Sequence, residues 1–383
     1  MGDAQRLSPV EQLRFAREQY ESARDFTVAV EEEFAILDPD SLDMIGRFEE
    51  LFAAARGTEL EGHLVGELIS SEVEVRTGRC DTFTEVAATM AERRRQLVEL
   101  AAAHGIALGS TGTHPWSPWQ DQSIIDTPHY RLVEEGLRYV AWRNNTFGMH
   151  VHVGIRGADR AIAVCDALRS YLPELLALSA SSPFSEGRYT HLHSTRTQIF
   201  TRMFPRCGVP DAYGSWEEYE RYVRLLYDTG SIVEHTQIWW SVRAHLAFPT
   251  AEVRICDGQP ELGAAQSLAA FVYSLVARVA RALDDRENVP IHPRRLIEEN
   301  FWRAIRYGLG GELIDLDTGR LRPTRARLEE LLEWMLPVAE ELGAAPFLGI
   351  PSSNAAQRQI ARYETGATLG EIYADEILQP VRV

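Results

Sequence analysis

Apolar and polar residues alternate along several short stretches of this chain and recur at helical spacing along longer ones. Residues 28–37, VAVEEEFAIL, alternate as a strand does, so Glu31 and Glu33 point to one face and Glu32 to the other. Residues 67–76, ELISSEVEVR, read as a second strand and 252–257, EVRICD, as a third. Residues 149–154, MHVHVG, also alternate at period two. A short strand at 106–110 leads into the Gly- and Pro-rich loop 111–119, and 234–248 carry two aromatic strands. Helical spacing predicts helices over 7–21, 49–55, 130–144, 159–170, 172–179, 216–227 and 261–283. Another opens at Asp81 or Thr82 with Glu85 as its capping partner. It sets Phe83, Val86, Ala87, Met90, Leu97 and Leu100 on one face and turns 92–95 to water. Residues 184–214, rich in Arg, His, Ser and Pro, read as an irregular functional loop. The chain is mainly helical from about 290, including 329–342. Helices gathered between alternating strands favour an α+β architecture over a doubly wound one. Residues 1–25 read as a helical lead-in and 26–383 as a single catalytic domain.

The acids in these strands carry the first chemical signal. Two carboxylates on one strand face repel each other, and burying them is costly without a positive partner. A divalent metal carrying a polyphosphate supplies one. Glu31, Glu33, Glu67, Glu74, His150 and Glu252 can converge on such a metal from different strands. An oxygen-dominated set suits magnesium or manganese, whereas a closed zinc site draws more on Cys and His. Any one of these acids alone reads equally as the solvated face of a strand; their recurrence in three places argues for a carboxylate-lined sheet. His150 and His152 share a strand face and serve either as ligands or as a hydrogen-bonded structural pair. Arg196, Arg202, Arg243 and Arg254 complement phosphates or carboxylates, with a surface ion pair as the plain alternative, strongest for Arg202. Arg254 follows Glu252 by two residues and shares its face. His114, Trp116 and Trp119 either cover a small ligand or anchor the core. Walker, dinucleotide-binding and GxSxG motifs are absent from the sequence.

Composition narrows the classes. A net charge of -17 over 383 residues argues against nonspecific binding to nucleic acid or anionic membrane. No stretch reads as the roughly 18 consecutive apolar residues of a spanning helix. The opening residues lack a hydrophobic signal core, and the four cysteines form no CxxC pair, so a reduced cytoplasmic protein is expected. A homodimer or higher homo-oligomer is the expected assembly.

The sequence resembles the type 2 glutamate–cysteine ligases, or carboxylate–amine ligases, of the glutamine-synthetase-like superfamily. The matching segments are VEEEF at 30–34, ELISSEVEVRTG at 67–78, GTHP at 112–115, GMHVHVG at 148–154, IWW at 238–240 and TAEVRICD at 250–257. The resemblance implies a curved, mainly antiparallel sheet lining an active-site cleft with helices outside. It also implies activation of a carboxylate by ATP and displacement of phosphate by an amine. Glutamate's γ-carboxylate and cysteine or a related amine are the implied substrates. By resemblance Glu31, Glu33, Glu67 and Glu74 are metal-binding acids, His150 a metal or nucleotide-phosphate ligand, and Glu252 the acid of the nucleotide-side metal. Arg254 matches the arginine beside the transferred phosphoryl group, and Arg196 and Arg243 match substrate- or phosphate-binding arginines. One departure falls at Ser241 and Ala244, where the family often has Asp and Pro. Two other readings use the same cleft: phosphorylation of a guanidino compound, and a nucleotide or amino-acid sensor without turnover.

Overall fold

A computed structural model of the protein describes residues 8–376. Seven strands make its main sheet: β1 (Val28–Leu37), β2 (Leu64–Val65), β3 (Glu72–Arg76), β4 (Ala107–Gly109), β5 (Gly148–Gly154), β6 (Val242–Ala244) and β7 (Thr250–Asp257). They lie in the order β6-β7-β5-β1-β3-β2, with β4 paired to the end of β1, and every pairing is antiparallel. The expected α+β class with an antiparallel sheet is the one observed.

Strand β1 shows why the sheet has two unlike faces. Its even-numbered residues Val28, Val30, Phe34 and Ile36 are fully buried in the apolar core. The odd-numbered Glu31 and Glu33 turn to the opposite face. Helices cover the apolar side: α1 (Pro9–Ser22), α2 (Phe83–Ala103), α3 (Ala158–Leu168), α4 (Leu172–Ser179), α6 (Leu262–Asp284) and α7 (Thr324–Glu341), while α5 (Thr195–Met203) lies against the opposite face. Helix α2 packs on β1 and β3, α6 on β5, α4 on β7, and α3 on β6 and β7. As expected, α2 is capped by Thr82, whose hydroxyl accepts from the Glu85 N–H at 3.2 Å. Each large apolar side chain that α2 buries, such as Phe83, Met90 or Leu97, contributes about 1.5–3 kcal/mol.

Six expectations are corrected. Arg94 does not face water: it lies four residues past Met90 and three before Leu97, on the buried stripe of α2, where it meets Glu32. The strand expected at 67–76 begins only at Glu72, because 69–71 turn aside to pair with 122–124. The helix expected at 130–144 breaks in two at Arg138, whose φ is 49°. Within 184–214 lies α5, capped by the Ser194 hydroxyl, which accepts from Thr197 N–H. Of the two aromatic strands expected at 234–248, only β6 joins the sheet; Trp239–Trp240 pairs in parallel with Cys207–Gly208 instead. Finally, α6 is long and apolar enough to cross a membrane, but its buried residues pack inside the core against the sheet.

Residue 7 of the first expected helix lies outside the described residues. Leu13, Ala16 and Tyr20 of α1 join the large core, and the Tyr20 hydroxyl donates to the Thr250 carbonyl at 2.8 Å. All four cysteines are buried and unpaired.

Candidate active site

Strand register sets charged side chains in rows across the sheet face opposite the apolar core. Arg76 of β3, Glu31 of β1 and His150 of β5 are cross-strand partners, as are Glu74 and Glu33. A second row runs from Arg243 of β6 through Glu252 of β7 to His152 of β5. The rows touch. His150 Nδ1 stands 3.2 Å from Glu31 and its Nε2 3.5 Å from Glu33. His152 Nε2 lies 3.6 Å from Glu31 and 3.8 Å from Glu252. Arg243 Nε donates to Glu252 at 2.5 Å, and Arg254 Nη1 donates to the other oxygen of the same carboxylate. Glu33 accepts from the Gly148 N–H, and Glu74 from Arg76 Nε.

The two ends of this floor differ electrically. Burial alone would raise the Glu252 carboxyl, but Arg243 and Arg254 outweigh it and hold it well below its usual range. Glu31 also resists burial and stays low, through His152, His150 and Arg76. At the other end burial wins. Glu67 is pushed up to about 7 by burial and by Glu33, and Glu72 and Glu74 are raised well above 4.5 by burial and neighbouring acids. Burial and Arg254 lower His150, leaving it neutral and able to ligate. His152 is raised instead, since Glu252 and Glu31 overcome its burial.

All nine expected site residues line one cavity of about 300 Å³, walled by Tyr130, Phe200 and Trp239. Three groups of donors within it stand close enough to share an ion: Glu31, Glu74 and His150; Glu31, His152 and Glu252; and Glu33, Glu67 and Glu74. Glu31, Arg76 and Phe248 also line a second cavity of about 510 Å³, together with His152, Arg24 and Arg79. Arg202 lies elsewhere, in a surface pair with Glu298 at 2.8 Å. His114 and Trp116 pack on Tyr373, which makes them core anchors. Ser241 is pinned through its backbone, donating to Gly208 and accepting from the Arg254 N–H, both at 2.8 Å.

The sequence reading missed Glu72, Arg76 and His245 as cleft residues. The first two were within reach, because the alternation that places Glu74 places them on the same face. His245 Nε2 lies 4.0 Å from Glu252, and its ring stacks on Phe248.

The model of the glutamate–cysteine ligase family 2 matches residues 27–369. The chain belongs to that family. A relative from Sorangium cellulosum, provisionally named glutamate–cysteine ligase 2, is 39% identical over 364 residues, covering 92% of this chain and 96% of its own. Another from Rubrobacter xylanophilus, provisionally named glutamate–cysteine ligase 2-3, is 40% identical over 343 residues, 89% of this chain and 90% of its own. The fold is shared with the glutamate–cysteine ligase of Francisella tularensis, solved in complex with AMP. That match has a TM-score of 0.66 at 12% identity and covers 92% of this chain and 88% of that one. It is shared as well with a bifunctional glutathione synthetase from Pasteurella multocida, with a TM-score of 0.68 at 12% identity, over 95% of this chain and 52% of that one. This family member is therefore a ligase, and its reaction class is carboxylate–amine ligation.

Proposed function

We propose that the chain uses ATP to join an amino-acid carboxylate to an amine, with the γ-carboxylate of glutamate as the acid and cysteine or a related amine as the acceptor. The observation that carries this reading is the meeting, in one cleft, of three interlocking donor groups with two arginines that share Glu252. The family's name supports the substrates, and the AMP bound to the Francisella enzyme supports an adenine nucleotide.

The donor set fits a hard cation. It is oxygen-rich with one neutral imidazole, and the acids at Glu67, Glu72 and Glu74 lack enough positive charge of their own. Glu31, Glu33, Glu67, Glu74, His150 and Glu252 would hold it. Magnesium or manganese bound there would neutralise and align phosphate oxygens. Arg254 faces the transferring phosphoryl group, and Arg243 keeps Glu252 ionised and in place while presenting positive charge to a substrate anion.

In the first step a carboxylate oxygen of the acid attacks the γ-phosphorus of ATP, and the bond to the bridging oxygen breaks to release ADP. The acyl phosphate that results is attacked at its carbonyl carbon by the amine nitrogen. Phosphate leaves, and the nitrogen gives up a proton. Excluding water from the cleft would protect the mixed anhydride.

The test is incubation with ATP, magnesium and panels of acids and amines that include glutamate and cysteine, read by mass spectrometry. The expected result is an amide formed in equal amount with ADP and phosphate. A phosphorylated compound without condensation, or no product across the panels, overturns the reading.

A further inference from the structure

Arg196 lines the cleft, yet its guanidinium is engaged by main chain. Its Nη1 donates to the Ile255 carbonyl at 3.1 Å and its Nη2 to the Arg254 carbonyl at 3.3 Å. Those carbonyls mark the one irregularity of β7. Val253 opposes Val151 while Cys256 opposes Met149, so β7 fits one extra residue opposite His150. A bulge takes backbone groups off the ladder and re-aims the side chains beside it. The side chain here is that of Arg254, which reaches Glu252 and stands 3.4 Å from His150. From the other edge the Arg254 N–H donates to Ser241 at 2.8 Å, so residue 254 is gripped on both sides.

Arg196 is itself held. Its N–H donates to the Ser182 hydroxyl at 3.2 Å, and its Nη1 lies 3.8 Å from Asp257. Asp257 in turn accepts from Ser181 N–H at 3.0 Å and from the hydroxyls of Ser182 and Ser194 at 2.7 and 2.9 Å. Gly148 leaves the room this requires, because a Cβ there would stand 2.1 Å from Arg196 Nη2.

We infer that Arg196 is a positioning residue: it closes the bulge at residues 254–255 and thereby aims Arg254, and it does not itself bind substrate or phosphate. The role of Arg254 rests on the ligase reading above; the bulge does not. This replaces the substrate-binding role that the family resemblance implies for Arg196. A substrate-binding arginine keeps its fork for the ligand, whereas each outer nitrogen of Arg196 already donates to a main-chain oxygen and only its buried Nε is left without a partner.

The experiment compares wild type with Arg196→Met, Arg196→Lys and Gly148→Ala, alone and combined with Arg254→Lys. It measures kcat, KM for magnesium–ATP and for the acid, and hydrogen exchange of the peptide spanning 250–257. A misaimed group costs about 30-fold or more in kcat while KM stays within about threefold. Arg196→Met should add little once Arg254 is already Lys, and exchange at 250–257 should rise while β1 is unchanged. Gly148→Ala, which keeps Arg196 but pushes its guanidinium aside, should reproduce the pattern and add little to Arg196→Met. A tenfold rise in KM with kcat kept, additive losses with Arg254→Lys, or unchanged exchange at 250–257 each overturns the inference. If wild type turns over no acid–amine pair, the ligase reading fails, and the exchange result still decides the bulge.

Discussion

Glu32 and its neighbours Glu31 and Glu33 sit on one strand, but they belong to two different kinds of buried charge. Behind the sheet, Glu32 meets Arg94 at 2.6 Å, and Arg94 also donates to the carbonyls of Gln259 and Pro260. That charge arrives with its partner from the same chain. On the cleft side, Glu33 shares a pool of acids with Glu67, Glu72 and Glu74, and among the described residues the arginine paired directly with an acid of that pool is Arg76, beside Glu74. A carboxylate that serves the fold is neutralised within the fold. At the Glu67 end of the cleft the acids are left in deficit, and the deficit shows as raised carboxyls at Glu67, Glu72 and Glu74, whereas Glu31 and Glu252 are held low by neighbouring histidines and arginines.

The strongest way to break this contrast is to remove the fold's own pair. Glu32→Gln leaves Arg94 buried and uncompensated, which costs about 3–5 kcal/mol of stability. Turnover per folded molecule should stay within about threefold, because Glu32 faces away from the cleft. Urea denaturation and active-site titration measure the two. Replacing both Glu32 and Arg94 with Met should recover most of the stability. Severe loss of turnover in fully folded Glu32→Gln protein would erase the distinction between the faces.

The converse variant is Glu67→Gln. It removes an acid that burial disfavours, so the metal-free protein should be as stable as wild type or more so at neutral pH. Turnover should fall by about 100-fold or more, together with the stabilisation that magnesium confers. Thermal scans with and without magnesium, beside steady-state rates, separate the two effects. A destabilised metal-free variant with normal magnesium response would make Glu67 structural.

Arg254→Lys sharpens the contrast inside the cleft. It keeps the charge beside Glu252 but loses the planar fork, so kcat should fall about 100-fold while the magnesium–ATP dissociation constant moves by only about threefold. Equal changes in both quantities would place Arg254 in ground-state binding alone.

Much of this site was legible because alternation in a strand is strict. The phase of VAVEEEF placed Glu31 and Glu33 in the cleft and Glu32 behind it, and the same rule would have found Glu72 and Arg76. Arg94 was legible too, by its place on the stripe of Met90 and Leu97, but its charge was read ahead of its spacing. The bulge in β7 could not be read. An extra residue at 254–255 exists only relative to β5, and one strand's sequence carries no record of its partner's register. Helix α5 was hidden for a related reason: its few buried residues pack within a polar, serine-rich surround, so composition spoke for a loop.

The smallest expected effect is one of pH, and its sign follows from the raised carboxyls. Glu67 holds its proton up to about pH 7 in the folded protein against 4.5 ordinarily. Its contribution to stability is therefore complete below about pH 4.5 and is lost as pH rises through about 7. Glu72 and Glu74 shift the same way. Buried His114 and His193, lowered to about 4, act oppositely, since their contribution is lost as pH falls from 6.5 through about 4. The difference between wild type and Glu67→Gln isolates the carboxyl from both histidines. Without metal, wild-type Tm minus variant Tm should decline by a few degrees between about pH 5 and about pH 8. Magnesium should reverse that decline, because it binds the deprotonated acid and its stabilisation grows as the competing proton leaves. A metal-free difference that rises with pH would mean that the chain already supplies Glu67 with a cation, and the acids of the cleft would then be no different in kind from Glu32.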